Sequence, residues 1–124
     1  MEVDNLIRTA LDEGLLIVDE KTGTIWRPTP KGLRQIVPEM NGKGYLRFRF
    51  AVHGVRCHFR VHRVVYMAVH GSIPKGYHID HVNGNKQDNR ICNLQPLTDL
   101  DNKRKQMAMR RENRSRPQPL LFFC

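Results

Sequence analysis

Tyr77-His78-Ile79-Asp80-His81-Val82-Asn83-Gly84-Asn85-Lys86-Gln87-Asp88-Asn89-Arg90-Ile91-Cys92-Asn93-Leu94-Gln95-Pro96-Leu97-Thr98, followed by Asp99-Leu100-Asp101-Asn102, is the stretch whose reading decides the fold. Its pattern predicts strand, loop, strand and helix. Ile79 and Val82 bracket the polar pair Asp80-His81, a turn-rich loop runs through Asn83-Gly84-Asn85, and residues 94–97 form a second short apolar run. Thr98-x-x-Asp101 is a capping-box-like start with Asp in place of Glu, so a helix begins near Asp99 and carries Asn102 in its first turn. Asn83, Asn85, Asp88 and Asn89 read as turn chemistry, because short polar side chains bond to their own backbone.

The text Asp80-His81-x-Asn83-Gly84-Asn85-x-x-Asp88-Asn89-Arg90-x-x-Asn93-Leu94, with Asn102 downstream, resembles the HNH endonuclease family. It is most similar to the small phage-type members, free-standing relatives of homing endonucleases, and with residues 45–70 included the resemblance covers residues 22–105. The resemblance implies an α+β fold built on a ββα-metal (His-Me finger) catalytic unit: a two-stranded ribbon packed on one helix around a single divalent metal. It implies cleavage of double-stranded DNA, by nicking or by cutting both strands, and a phage origin with action inside a bacterium. By resemblance Asn93 is the middle letter of the family name, a catalytic-unit residue that ties the loop to the strands through its side-chain amide.

The chemistry stands on the residues as well. Phosphodiester hydrolysis needs a water made nucleophilic, a cation to stabilise charge on the phosphate and leaving oxygen, and rigid placement of both. His81 is a natural general base, since imidazole is largely neutral at pH 7. Asp80 supplies a hard anionic oxygen and Asn102 a neutral one, a pair suited to Mg²⁺ (or Mn²⁺), which keeps much of its hydration shell. Adjacent strand residues point to opposite faces, so Asp80 and His81 grip a phosphate from its two ends. His78 shares a face with Asp80 and is either a phosphate contact or a half-exposed structural histidine. Arg90 either pairs with Asp88 or reaches a phosphate. A DNA-binding module of the same ancestry without activity is the alternative reading, and retention of Asp80, His81, Asn93 and Asn102 together argues against it. A ribosomal or RNA-binding protein explains the charge but leaves the Asp80-His81 pattern as coincidence.

With 124 residues the chain is one domain or a small domain with tails. Its net charge is +9, yet residues 1–20 hold six acids and one Arg, a net −5, which leaves +14 on the remainder. That balance suits a polyanion. Cys57, Cys92 and Cys124 are odd in number and lack C-x-x-C spacing, so neither a disulfide scaffold nor structural zinc is expected. Many HNH relatives carry zinc-binding cysteine pairs, and there this chain departs from them. No apolar run approaches the ~20 residues that span a bilayer, and the acidic N-terminus is no signal peptide. The expectation is a reduced, cytoplasmic protein with no membrane partner, a monomer or a DNA-induced dimer, located in the bacterial host if phage-encoded.

Taken in order, residues 1–40 read as an N-terminal helix and strands, residues 41–105 as the nuclease core, and residues 106–124 as a basic arm and tail. Val3, Leu6, Ile7, Ala10 and Leu11 recur at helical spacing before Gly14. Residues 15–18 and 24–26 look like strands with Trp26 as core, whereas residues 27–40, with Pro28, Pro30 and Pro38, predict an irregular segment. Within the core, residues 45–61 predict a hairpin turning at His53-Gly54, residues 62–70 a helix, and residues 77–113 the ββα unit. One hairpin face carries Leu46, Phe48, Phe50, Val55, Cys57, Phe59 and Val61; the other carries Tyr45, Arg47, Arg49, Arg56, His58 and Arg60 without an acid, a face for a DNA groove. Arg63 joins these as a DNA-binding candidate, with His62 and Arg63 either touching the DNA backbone or anchoring the helix start. Lys103, Arg104, Arg110 and Arg111 form a basic C-terminal helix for the same partner, and residues 120–124 are an apolar end that docks on the domain or mediates self-association.

Overall fold

Apolar residues at helical spacing make the first element, α1 (Val3–Asp12), which buries Leu6, Ile7 and Ala10. The computed structural model describes residues 3–115, with side chains through residue 108. Gly14 closes α1 at φ +72°, a left-handed conformation that glycine adopts at little cost, and its N–H donates to the Leu11 carbonyl at 3.2 Å.

Strands β1 (Ile17–Asp19), β2 (Thr24–Thr29) and β3 (Gly32–Ile36) form an antiparallel sheet in that order. Residues 27–40 therefore depart from the expected irregular segment: they finish β2, form β3 and end in β4 (Glu39–Met40). The prolines are tolerated for a local reason. β1 pairs with β2 only from Thr24 to Trp26, so Pro28 lies where one edge of β2 has no neighbour and its missing N–H costs little. Trp26 is half-buried; its neighbour Ile25 takes the core position of the strand.

β4, β5 (Leu46–Val52) and β6 (Val55–Arg60) make a second antiparallel sheet. Val52 pairs with Val55 across a two-residue turn in which His53 and Gly54 both have positive φ, at 49° and 80°, the turn geometry that matches the twist of a hairpin. α2 (Val61–His70) follows and is stopped at Gly71, whose N–H reaches the Met67 carbonyl at 2.8 Å. β7 (Tyr77–His81) pairs antiparallel with β8 (Leu94–Thr98), joined by a loop that closes in a 3-10 turn over Ile91–Asn93. α3 (Asp99–Ser115) begins where Thr98 Oγ1 accepts the Asp101 N–H at 3.2 Å.

One apolar cluster holds these pieces together. Leu6 and Ile7 of α1, Ile25 of β2, Phe48, Val52 and Phe59 of the hairpin, Val64 and Val65 of α2, and Ile79 and Leu94 of the β7–β8 ribbon belong to the same core. The N-terminal segment is thus packed into the molecule and not appended to it. No helix among the described residues is long and apolar enough to cross a membrane. The side chains of Arg110 and Arg111, and the apolar end 120–124, lie outside the described residues.

Candidate active site

Strand alternation sets the site. Ile79 anchors β7 in the core at 5% exposure, and the next two residues project to opposite faces. The His81 ring enters a pocket of aromatic groups: its centroid lies 5.2 Å from the His62 ring and 6.0 Å from the Tyr45 ring, and His81 is only 3% exposed. Nε2 of His81 sits 2.7 Å from Oδ1 of Asn89, itself buried. Burial lowers the His81 pKa below the ordinary imidazole value, while the Asn89 hydrogen bond and the charges of Asp80 and Asp88 oppose the shift. The neutral ring that a proton acceptor needs is therefore the favoured form at neutral pH.

His62 is held neutral more firmly. Burial pushes its pKa down to about 3, helped by the cost of a second positive charge beside His81 whenever that ring is protonated and by the charges of Arg60 and Arg63. Its Nδ1 is buried without a hydrogen-bond partner among the described residues. Tyr45 closes the other side of the pocket, with the Arg60 guanidinium 5.6 Å and the Lys86 ammonium 4.8 Å from its ring centroid.

Asp80, on the opposite face, turns its carboxylate toward α3. Gln95 Nε2 donates to Asp80 Oδ2 at 3.0 Å, and the Lys105 ammonium contacts the same oxygen and donates to the His81 carbonyl at 2.6 Å. Asn102 is half-buried and lies three residues before Lys105, hence on the same face of α3. The donor types fit a hard cation: a half-buried carboxylate that already draws a positive charge, and a neutral amide on the face of α3 that carries Lys105. Among the described residues no group of three or more His, Cys, Asp or Glu is placed to hold a metal, so water would complete the shell.

Asn93 is 1% exposed and works on the loop. Its Oδ1 accepts the Asn83 N–H at 3.0 Å, and its Nδ2 donates to Asn83 Oδ1 at 3.0 Å and to the Asp88 carbonyl at 2.9 Å. Arg90 is taken by Asp88 through two bonds of 2.7 Å, which hold the Asp88 carboxyl below its usual pKa, and His78 pairs with Asp99 at the start of α3.

The arginine face of the hairpin forms, with one correction. β4 brings an acid to it: Glu39 Oε1 lies 3.3 Å from Arg47 Nε, an ion-pair distance without hydrogen-bond geometry, and 4.0 Å from His58. Arg49 donates to His58 Nε2 at 3.3 Å, and Arg56 is exposed. Arg63 is engaged elsewhere, in a forked contact with Asp4 of α1 at 2.6 to 3.2 Å. A cleft of about 520 Å³ runs beside this pair and past Arg47 and Arg60. Lys103 and Arg104 are exposed on α3. Sequence reasoning took Asn89 for turn chemistry, set Tyr45 on the DNA-facing side of the hairpin and counted Lys105 with the basic arm, and so missed all three as neighbours of Asp80 and His81. Only the spacing of Lys105 from Asn102 held a usable signal, because the other contacts arise from tertiary packing.

Residues 59–104 match the family model described as HNH endonuclease. Among solved structures, the HNH homing endonuclease I-HmuI, a protein that binds and cleaves DNA, superposes with a TM-score of 0.66 at 29% identity. The match covers 81% of this chain and 56% of that one, so the chain spans little more than half the length of that protein. No curated protein matches the chain by sequence.

Proposed function

We propose, from the HNH endonuclease family that both comparisons support for this chain, that it is a metal-dependent endonuclease hydrolysing phosphodiester bonds of double-stranded DNA. The observation that carries the reading is the geometry of two consecutive residues: His81 buried and neutral on one face of β7, Asp80 drawing a cation on the other. His81 takes the proton from the attacking water. Asp80 and Asn102 would hold the divalent cation, Mg²⁺ or Mn²⁺, which when bound stabilises charge on the phosphate and the leaving oxygen. Asn93 keeps the loop closed so that both groups stay in place. Arg49, Arg56 and Arg60 bind the duplex on the hairpin side, with Lys103 and Arg104 on α3. One site per chain cuts one strand per binding event, so double-strand cleavage requires a second copy or a second encounter.

A second reading, DNA binding without cleavage, is favoured by one observation: Lys105 already neutralises Asp80. A plasmid-nicking assay decides between them. Cleavage that needs Mg²⁺, stops with EDTA and is lost in His81→Ala supports the enzyme; binding without nicking at any Mg²⁺ concentration overturns it.

A further inference from the structure

The loop between β7 and β8 contains a buried amide that turn chemistry does not use. Asn89 is 3% exposed, and its Oδ1 faces His81 Nε2 at 2.7 Å. An amide oxygen only accepts hydrogen bonds, so Nε2 carries the ring proton and Nδ1 keeps the free lone pair. Nδ1 has no hydrogen-bond partner among the described residues. A neutral imidazole has one basic nitrogen, and the group bonded to the other nitrogen selects which one it is.

Asn89 is itself held from a distant part of the chain. The N–H of Ile91 donates to the Glu20 carbonyl at 2.9 Å, joining the loop to the β1–β2 turn. Gly23 of that turn lies flat against the peptide between Asn89 and Arg90. A Cβ at Gly23 would stand 2.5 Å from the Asn89 carbonyl carbon and 2.8 Å from the Arg90 nitrogen, both backbone atoms that cannot swing aside. Gly23 also has φ +73°, so glycine is required there twice over: for its conformation and for this approach. On the far side, Asn93 grips the Asp88 carbonyl and Arg90 grips the Asp88 carboxylate. The peptide bearing Asn89 is clamped from both sides.

We propose that Asn89 is a positioning residue that fixes His81 as the Nε2–H tautomer, leaving Nδ1 as the proton acceptor, and that the β1–β2 turn is its support. The inference rests on the reading of His81 as general base. It assigns the N-terminal sheet a part in the chemistry that its distance in sequence conceals.

The test is long-range ¹H–¹⁵N correlation spectroscopy of the histidine rings in the full chain at pH 8, with plasmid nicking measured on the same samples. Wild type should show His81 protonated at Nε2 alone. Asn89→Leu should give a mixture of tautomers and lose roughly 10- to 100-fold in cleavage, the scale of losing a group that orients a site histidine. Asn89→Asp keeps an acceptor oxygen and should restore the Nε2–H form and much of the rate. Gly23→Ala, if it folds, should resemble Asn89→Leu although it touches neither histidine. A wild-type ring protonated at Nδ1, or an Asn89→Leu variant with an unchanged tautomer and rate, overturns the proposal while leaving His81 as the base. Full cleavage by His81→Ala would instead overturn the reading beneath it, whatever the spectrum.

Discussion

Acid should destabilise this protein through His62 before it touches most carboxylates. In the folded chain the ring has a pKa of about 3, against 6.5 for an ordinary histidine. The folded pKa is depressed, so the unfolded chain binds the proton first, and stability falls as pH drops from about 6.5 toward 3. Between pH 7 and pH 5 the folded ring stays neutral while the unfolded one goes from about a quarter to almost fully protonated. That difference is worth about 2 kcal/mol for His62 alone, within a slope limit of about 1.4 kcal/mol per pH unit. His81, lowered by its own burial, adds loss in the same direction. The assay is urea unfolding at both pH values for wild type and His62→Leu, which fills the site without a titrating group. Leucine should remove about 2 kcal/mol of the pH-dependent loss, whatever it does to stability at pH 7. If the variant loses as much between pH 7 and pH 5 as wild type, the ring is not kept neutral by the fold and the reasoning fails.

Three further outcomes follow from the site. His81→Ala should lose roughly 10²- to 10⁴-fold in cleavage while duplex binding survives; in wild type, burial of the ring should put the midpoint of the acid limb below pH 6.5, and half-maximal activity reached above that value would contradict a depressed pKa. Lys105→Met should tighten Mg²⁺ binding by the free protein, on the order of tenfold given a partly exposed pair, because it removes a cation resting on Asp80; calorimetry showing unchanged affinity would place the metal elsewhere. Arg49→Ala and Arg56→Ala should each reduce the salt dependence of duplex binding, by a log-log slope of about 0.9 for every phosphate that the variant no longer neutralises. Arg47→Ala should do less, because Glu39 already offsets it, and an Arg47 effect equal to the others would make that pair irrelevant.

What could be read from the sequence was what depends on neighbours along the chain. The hairpin shows as alternation, the start of α3 as Thr98 and Asp101, and the Asp80-His81 divergence as the period of a strand. What could not be read depends on pairing across the chain. Prolines in residues 27–40 resemble breakers until it is seen that β1 ends at Trp26 and leaves the Pro28 edge free. Arg63 looks available until Asp4, 59 residues away, is found beside it. Asn89 has the composition of a turn residue, and only the approach of Gly23 reveals why its peptide is immobile.

The acids of the N-terminal third offset part of the basic surface. Asp4 offsets Arg63, Glu39 offsets Arg47, and Glu13 bonds His53 at 2.8 Å, all on the helix, on β4 or at the hairpin tip. Among the described residues no acid pairs with Arg49, Arg56 or Arg60. Arg60 lies over Tyr45, whose ring also takes the Lys86 ammonium and stands 6.0 Å from His81. Unpaired charge therefore runs from the middle of the hairpin, through one aromatic ring, to the edge of the proposed base. Under the proposed function, a phosphate backbone bound over Arg60 and Tyr45 would come within reach of His81, a placement that the Arg49, Arg56 and Arg47 variants test through their different salt slopes.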